Sequence, residues 1–178
     1  MTPLSFPTIT LFSLLLLSSY LTARCFTPPN PSTGAHRLWK RDRVGALGQH
    51  EPGRLVLRRV VAISMSVYHA LLTLTFPATG QHHGHPLCRH PSNLNPKLFT
   101  WSPYTVTCLF IIIFLGAPLR LAAYAALGKN FTFRLAQPDR LVTSGIYRFV
   151  QHPSYVGQML VFLGNMALFA RWDAAPGC

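Results

Sequence analysis

Four apolar stretches, residues 4–23, 60–76, 104–127 and 155–170, constrain this chain more than any other feature of its sequence. Each approaches the length, about 17 to 25 residues, at which a helix crosses a hydrocarbon core. They differ in purity: the second contains His69, the third Pro118 and Arg120, and the short fourth carries Gln158 and Asn165. Composition agrees with membrane burial. Of 178 residues 49% are hydrophobic and 11% charged, with a mean hydropathy of +0.27, which argues against both a soluble domain and a disordered chain. The fold expected is an all-α multipass transmembrane protein with about three to four membrane helices.

The charges sort themselves between the stretches. Of the 16 Lys and Arg, eight (Arg24, Arg37, Lys40, Arg41, Arg43, Arg54, Arg58, Arg59) precede the second stretch. Only Arg89 and Lys97 precede the third, and Lys129, Arg134, Arg140 and Arg148 lie between the third and fourth. This alternation is a positive-inside pattern, which assigns residues 24–59 and 128–151 to the cytosolic face and 77–103 to the opposite one. The first stretch reads either as an uncleaved anchor with its N-terminus outside or as the apolar core of a signal peptide. Cleavage would carry the eight-charge segment across the membrane against the charge rule, so the anchor is the expectation. Three segments follow: an apolar anchor at 1–23, a basic linker rich in Pro and Gly at 24–59, and a membrane domain at 60–178. The formal charge of +12 is explained by this sorting and by attraction to an anionic lipid bilayer, and no nucleic-acid partner is expected.

Several polar motifs carry less. His82, His83, His85, Cys88 and His90 offer metal-ligand types, but in a loop with Gly84, Pro86 and Pro91 and without the paired spacing of a zinc site. No metal is expected there. Cys25, Cys88, Cys108 and Cys178 are widely spaced, so no disulfide framework is expected, and Cys88→Ser is expected to be silent. Asn130-Phe131-Thr132 fits a glycosylation acceptor but falls on the cytosolic face, where it stays unmodified.

The run Asp139-Arg140-Leu141-Val142-Thr143-Ser144-Gly145-Ile146-Tyr147-Arg148-Phe149-Val150-Gln151-His152-Pro153-Ser154-Tyr155-Val156-Gly157 is the informative one. Gly145 suits a turn, and Pro153 suits the first turn of a helix, where its missing N–H would be unpaired anyway. A helix start with His152 beside it favours an anion, and Tyr147 and Tyr155 offer aromatic faces for a cationic or planar ligand. The alternative reading makes the tyrosines interfacial belt residues and His152 a cap.

Taken together, Leu127-Gly128-Lys129-Asn130-Phe131-Thr132, Leu141-Val142-Thr143-Ser144-Gly145-Ile146-Tyr147 and His152-Pro153-Ser154-Tyr155-Val156-Gly157 resemble the isoprenylcysteine carboxyl methyltransferase family. The resemblance covers about residues 105–170. It implies an integral membrane enzyme of the endoplasmic reticulum that uses S-adenosyl-L-methionine to methylate the C-terminal carboxylate of prenylated CaaX proteins. By position it implies that Asp139, Arg140, Leu141 and Val142 form one wall of the cofactor pocket. Tyr147 supplies a second contact, and His152, Pro153, Ser154 and Tyr155 a third. Gln151 stands where the family often has Arg. The family also has a second motif, beyond further membrane helices, that supplies an arginine and a glutamate. Nothing up to Cys178 is similar to it, and Arg171 with Asp173 is a weak substitute on the opposite face. The expectation is therefore half a cofactor pocket, with a binding-only or inactive chain and a sterol-reductase-like membrane enzyme as alternatives.

Overall fold

The computed structural model describes residues 5–30, 52–75, 87–131 and 141–178. All four apolar stretches are helices, and there is no strand among the described residues. Helix α1 spans Phe6–Cys25 and α2 spans Pro52–Thr75. α2 starts well before the apolar run at Val60, because the exposed Arg54 and Arg58 are good helix formers whose long stems lie along a helix end while their charges reach water. A single rod follows, made of α3 (Pro103–Phe110), a π-helical stretch (Ile111–Gly116) and α4 (Ala117–Leu127). Helix α5 spans Pro153–Phe169.

The π-helical stretch has a local cause. Pro118 has no N–H to give and its ring crowds the carbonyl four residues back, and the wider turn just before it absorbs that mismatch without breaking the rod. At the other end of the rod Ser102 caps the helix, its Oγ accepting from the Thr105 N–H at 3.1 Å.

Three of these segments are long and apolar enough to cross a membrane: Phe6–Cys25, Val56–Thr75 and Pro96–Asn130. The 17-residue α5 packs among them as a fourth rod. The protein is an all-α multipass membrane protein. Phe110, Phe114, Phe162 and Leu163 point outward, as side chains facing lipid do.

Between the helices the contacts are small and polar, which is how helices associate when lipid is as apolar as leucine. The buried residues of α1, Leu11, Leu15, Ser18, Ser19, Thr22 and Cys25, recur every three or four positions and form one face. On it Ser19 bonds to Ser66 of α2, and Thr22 Oγ1 accepts from Asn165 Nδ2 of α5 at 3.0 Å. The rod and α5 touch through glycine. A Cβ on Gly157 would lie 2.6 Å from the Arg120 N, and one on Gly164 would lie 2.6 Å from Ile112 Cγ1.

The helices alternate in direction, so the connecting segments gather at two ends. At one end Trp101 Nε1 donates to the Pro7 carbonyl at 2.7 Å, Tyr104 OH to Ala167 O at 2.8 Å and Tyr68 OH to Leu87 O at 2.6 Å. There Cys88 and Cys178 form a disulfide across a sequence separation of 90. This single bridge corrects the expectation that Cys88→Ser is silent. Spacing carried no sign of it, because the two meet only when α5 returns the chain to the 87–102 segment.

Candidate functional site

The opposite end gathers the close of α1, the close of α4, and the segment 141–157. Two glycines shape it. Gly128, just after α4, has φ +52°, and Gly145 has φ +62°, a left-handed conformation that side chains disfavour. Gly145 opens the short 3₁₀ turn Gly145–Arg148, as the turn reading expects. The chain then reaches His152, and α5 begins at Pro153, where a missing N–H is harmless.

The expected site residues divide sharply. Asp139 and Arg140 lie outside the described residues. Leu141 is exposed and Val142 half-buried at the start of the segment. Tyr147 is half-buried on the 3₁₀ turn, and burial pushes its phenol up while the charge of Arg120 pulls it down. His152 and Tyr155 are exposed, with ring centroids 5.8 Å apart in an edge-on arrangement. Pro153 and Ser154 are buried. The turn and the helix start thus present two exposed rings beside a half-buried phenol, with Ser154 pointing the other way, into the bundle.

What Ser154 points at is the residue that the motifs did not single out. Arg120, on α4, is only 6% exposed, although it lies within a membrane-spanning segment. Its Nη1 donates to the Ser154 carbonyl at 3.1 Å and to the Ser154 hydroxyl, and its Nε reaches the Cys25 carbonyl at 3.5 Å. The guanidinium carbon lies 4.8 Å from the Tyr124 ring centroid and 5.4 Å from that of Phe131. Tyr124 OH donates to the same Cys25 carbonyl, and Asn30 Nδ2 donates to the Gly128 and Phe131 carbonyls at 2.7 and 3.0 Å. The signal for Arg120 was present in the sequence: an ionisable residue inside an apolar span is a functional candidate by default.

Arg171 and Asp173 are at the other end. Arg171 grips the Asp173 carboxylate with two N–H groups, both at 2.7 Å, while Asn95 Nδ2 donates to the same carboxylate at 3.1 Å. This holds Asp173 down at about 2. The pair is engaged with the 87–102 segment and contributes nothing to the 141–157 end. Of the His-rich loop, His82, His83 and His85 lie outside the described residues, and Cys88 is bridged to Cys178.

Residues 107–175 match the family model described as the isoprenylcysteine carboxyl methyltransferase (ICMT) family. The chain is 38% identical over 80 residues to the human protein-S-isoprenylcysteine O-methyltransferase, covering 42% of this chain and 27% of that one. It is 36% identical over 78 residues to the protein of the same name from Schizosaccharomyces pombe, covering 42% of this chain and 33% of the relative. With protein-S-isoprenylcysteine O-methyltransferase B of Arabidopsis thaliana the figures are 33% over 64 residues, 34% of this chain and 32% of the relative. The chain thus spans about a third or less of the length of these curated relatives. No solved structure matches it.

Proposed function

We propose that this chain carries the cofactor-binding end of a protein-S-isoprenylcysteine carboxyl O-methyltransferase, which methylates the C-terminal carboxylate of prenylated CaaX proteins. The observation that carries this reading is the match over residues 107–175, which takes in both Arg120 with most of its rod and the whole turn and helix start at 145–157. The cofactor is S-adenosyl-L-methionine. Asp139, Arg140, Leu141 and Val142 form one wall of its pocket, Tyr147 a second contact, and the helix start His152-Pro153-Ser154-Tyr155 a third, meeting the cofactor through the exposed His152 and Tyr155 while the buried Pro153 and Ser154 brace it from the bundle side. The exposed faces of His152 and Tyr155 suit a ligand that is part planar ring and part cation, and the helix start suits its carboxylate.

When bound, S-adenosyl-L-methionine would supply an electrophilic methyl group on a positive sulfur, which a carboxylate oxygen takes as the C–S bond breaks and neutral S-adenosylhomocysteine leaves, with no proton to move. A C-terminal carboxylate is already ionised at pH 7, so these residues need provide no general base. Their work is to hold two reactants in line and to keep water away. The prenyl chain enters sideways from the bilayer, where it needs no aqueous path. Positive-inside sorting puts the 141–157 end in the cytosol, and the proposed location is the endoplasmic reticulum membrane. The sterol-reductase-like and binding-only alternatives are not favoured, since all the curated relatives described are methyltransferases.

The test is methyl transfer from labelled S-adenosyl-L-methionine to a farnesylcysteine analogue, in membranes holding residues 1–178 with and without a grafted arginine–glutamate motif. Transfer in either preparation supports the reading. Silence in both, together with no cofactor binding, overturns it.

A further inference from the structure

We propose that Arg120 is a positioning residue for the 145–157 end, its guanidinium tying the first turn of α5 to the end of α1 so that His152 and Tyr155 keep one orientation. The proposal deepens the methyltransferase reading, and rests on it where that helix start is called a cofactor site. A guanidinium inside a membrane bundle is retained only where the surrounding groups hold it and its role repays the burial. Here those groups come from three helices: the Ser154 carbonyl and hydroxyl on α5, the Cys25 carbonyl on α1, and the Tyr124 ring on α4 itself.

The geometry needs arginine. The planar fork sends Nη1 to α5 and Nε to α1, while its face lies over Tyr124, an arrangement that the single ammonium of lysine cannot reproduce. It also needs Gly157, one turn beyond Ser154, which lets α5 come close enough to the Arg120 backbone for the reach to be short. The bundle has other ties at other levels, Ser19 with Ser66 and Thr22 with Asn165. Arg120 is the tie next to the exposed rings, and the Tyr147 turn packs on the same helix.

Hydrogen–deuterium exchange on the full chain in lipid nanodiscs tests this, comparing Arg120→Ala, Arg120→Lys and, as a control tie away from the site, Asn165→Ala. Expected is exchange about tenfold faster or more over residues 145–157 in both Arg120 variants, with α2 and the Cys88–Cys178 end unchanged. Asn165→Ala leaves 145–157 as it was. Affinity for S-adenosylhomocysteine falls by about tenfold or more in both Arg120 variants, without rescue by lysine. Unchanged exchange over 145–157 in Arg120→Ala overturns the proposal. So does loosening spread evenly over all helices, or full recovery in Arg120→Lys. If the unsubstituted chain binds no S-adenosylhomocysteine with or without the grafted arginine–glutamate motif while Arg120→Ala still loosens 145–157 alone, the methyltransferase reading falls and the positioning role stands.

Discussion

At the residue scale, two glycines with different reasons for being glycine separate backbone conformation from packing. Gly145 sits at φ +62° with nothing within 4 Å of where a Cβ would be. Gly145→Ala is therefore strained by backbone alone and should cost about 1 kcal/mol. Gly157 has an ordinary helical conformation, but its Cβ would meet the Arg120 N at 2.6 Å and the Gly116 O at 2.9 Å, both backbone atoms that cannot step aside. Gly157→Ala should force the rod and α5 apart at a cost of about 1–3 kcal/mol. Thermal unfolding in detergent, followed by loss of the monodisperse species, should rank Gly157→Ala well below Gly145→Ala. The exposed rings are a different matter. His152→Ala and Tyr155→Ala remove little packing, so unfolding should stay near that of the unsubstituted protein while binding of S-adenosyl-L-methionine is lost. Normal affinity in His152→Ala would remove that residue from the proposed site. Gly145 and Pro153 were legible because each has a local reason to stand where it does. Ser154 was legible only as a member of a pattern, and its partner on another helix was not.

At the element scale, a covalent and an ionic tie among the described residues hold the end opposite the proposed site. The disulfide closes a long loop, and removing such a bridge costs about 2–4 kcal/mol. Cys88→Ser should therefore lower the unfolding midpoint, and reductant should do the same to the unsubstituted protein but not to the variant. The sequence reading of this position as silent is thus corrected by a contact that forms between elements. The Arg171–Asp173 pair has a pH signature. Asp173 is held at about 2 against an ordinary value of 3.8, so its contribution to stability is complete above about pH 4 and is lost as pH falls through 2. Unfolding midpoints should accordingly be insensitive to this pair from pH 7 to 5. They should converge with those of Asp173→Asn only in strong acid, and a difference between the two proteins that vanished near pH 6 would contradict the assignment. Within the bundle, Asn165→Leu should cost about 0.6 kcal/mol, the size of a typical hydrogen bond between membrane helices, from the loss of Thr22 as partner.

At the scale of the whole molecule, alternating helices put Cys88 and Cys178 at one end and Asn130 with the 145–157 segment at the other. By the charge rule, the bridged end is expected to face the oxidising side of the membrane and the Asn130-Phe131-Thr132 sequon the cytosol. Expression in microsomes should give an unglycosylated chain whose Cys88 and Cys178 react with maleimide only after reduction, whereas a glycosylated Asn130 would reverse the orientation. α1 carries Leu11 and Leu15 in the shared core and Ser18, Ser19 and Thr22 on the same buried face, and cutting it away after Ala23 would uncover that face of α2 and α5. That there are three to four apolar helices, their limits within a few residues except at the start of α2, and the turn at Gly145 were all present in the sequence. Apolar length, charge and glycine conformation act locally or against the membrane as a whole, and need no knowledge of which helix is neighbour to which. Only the tertiary structure decided that Arg120 meets Ser154, that Cys88 meets Cys178, and that Arg171 with Asp173 stands at the far end from His152. Those pairings depend on the order and spacing in which the rods pack, and the glycines and small hydroxyls that set the packing look alike in sequence whether or not a partner faces them.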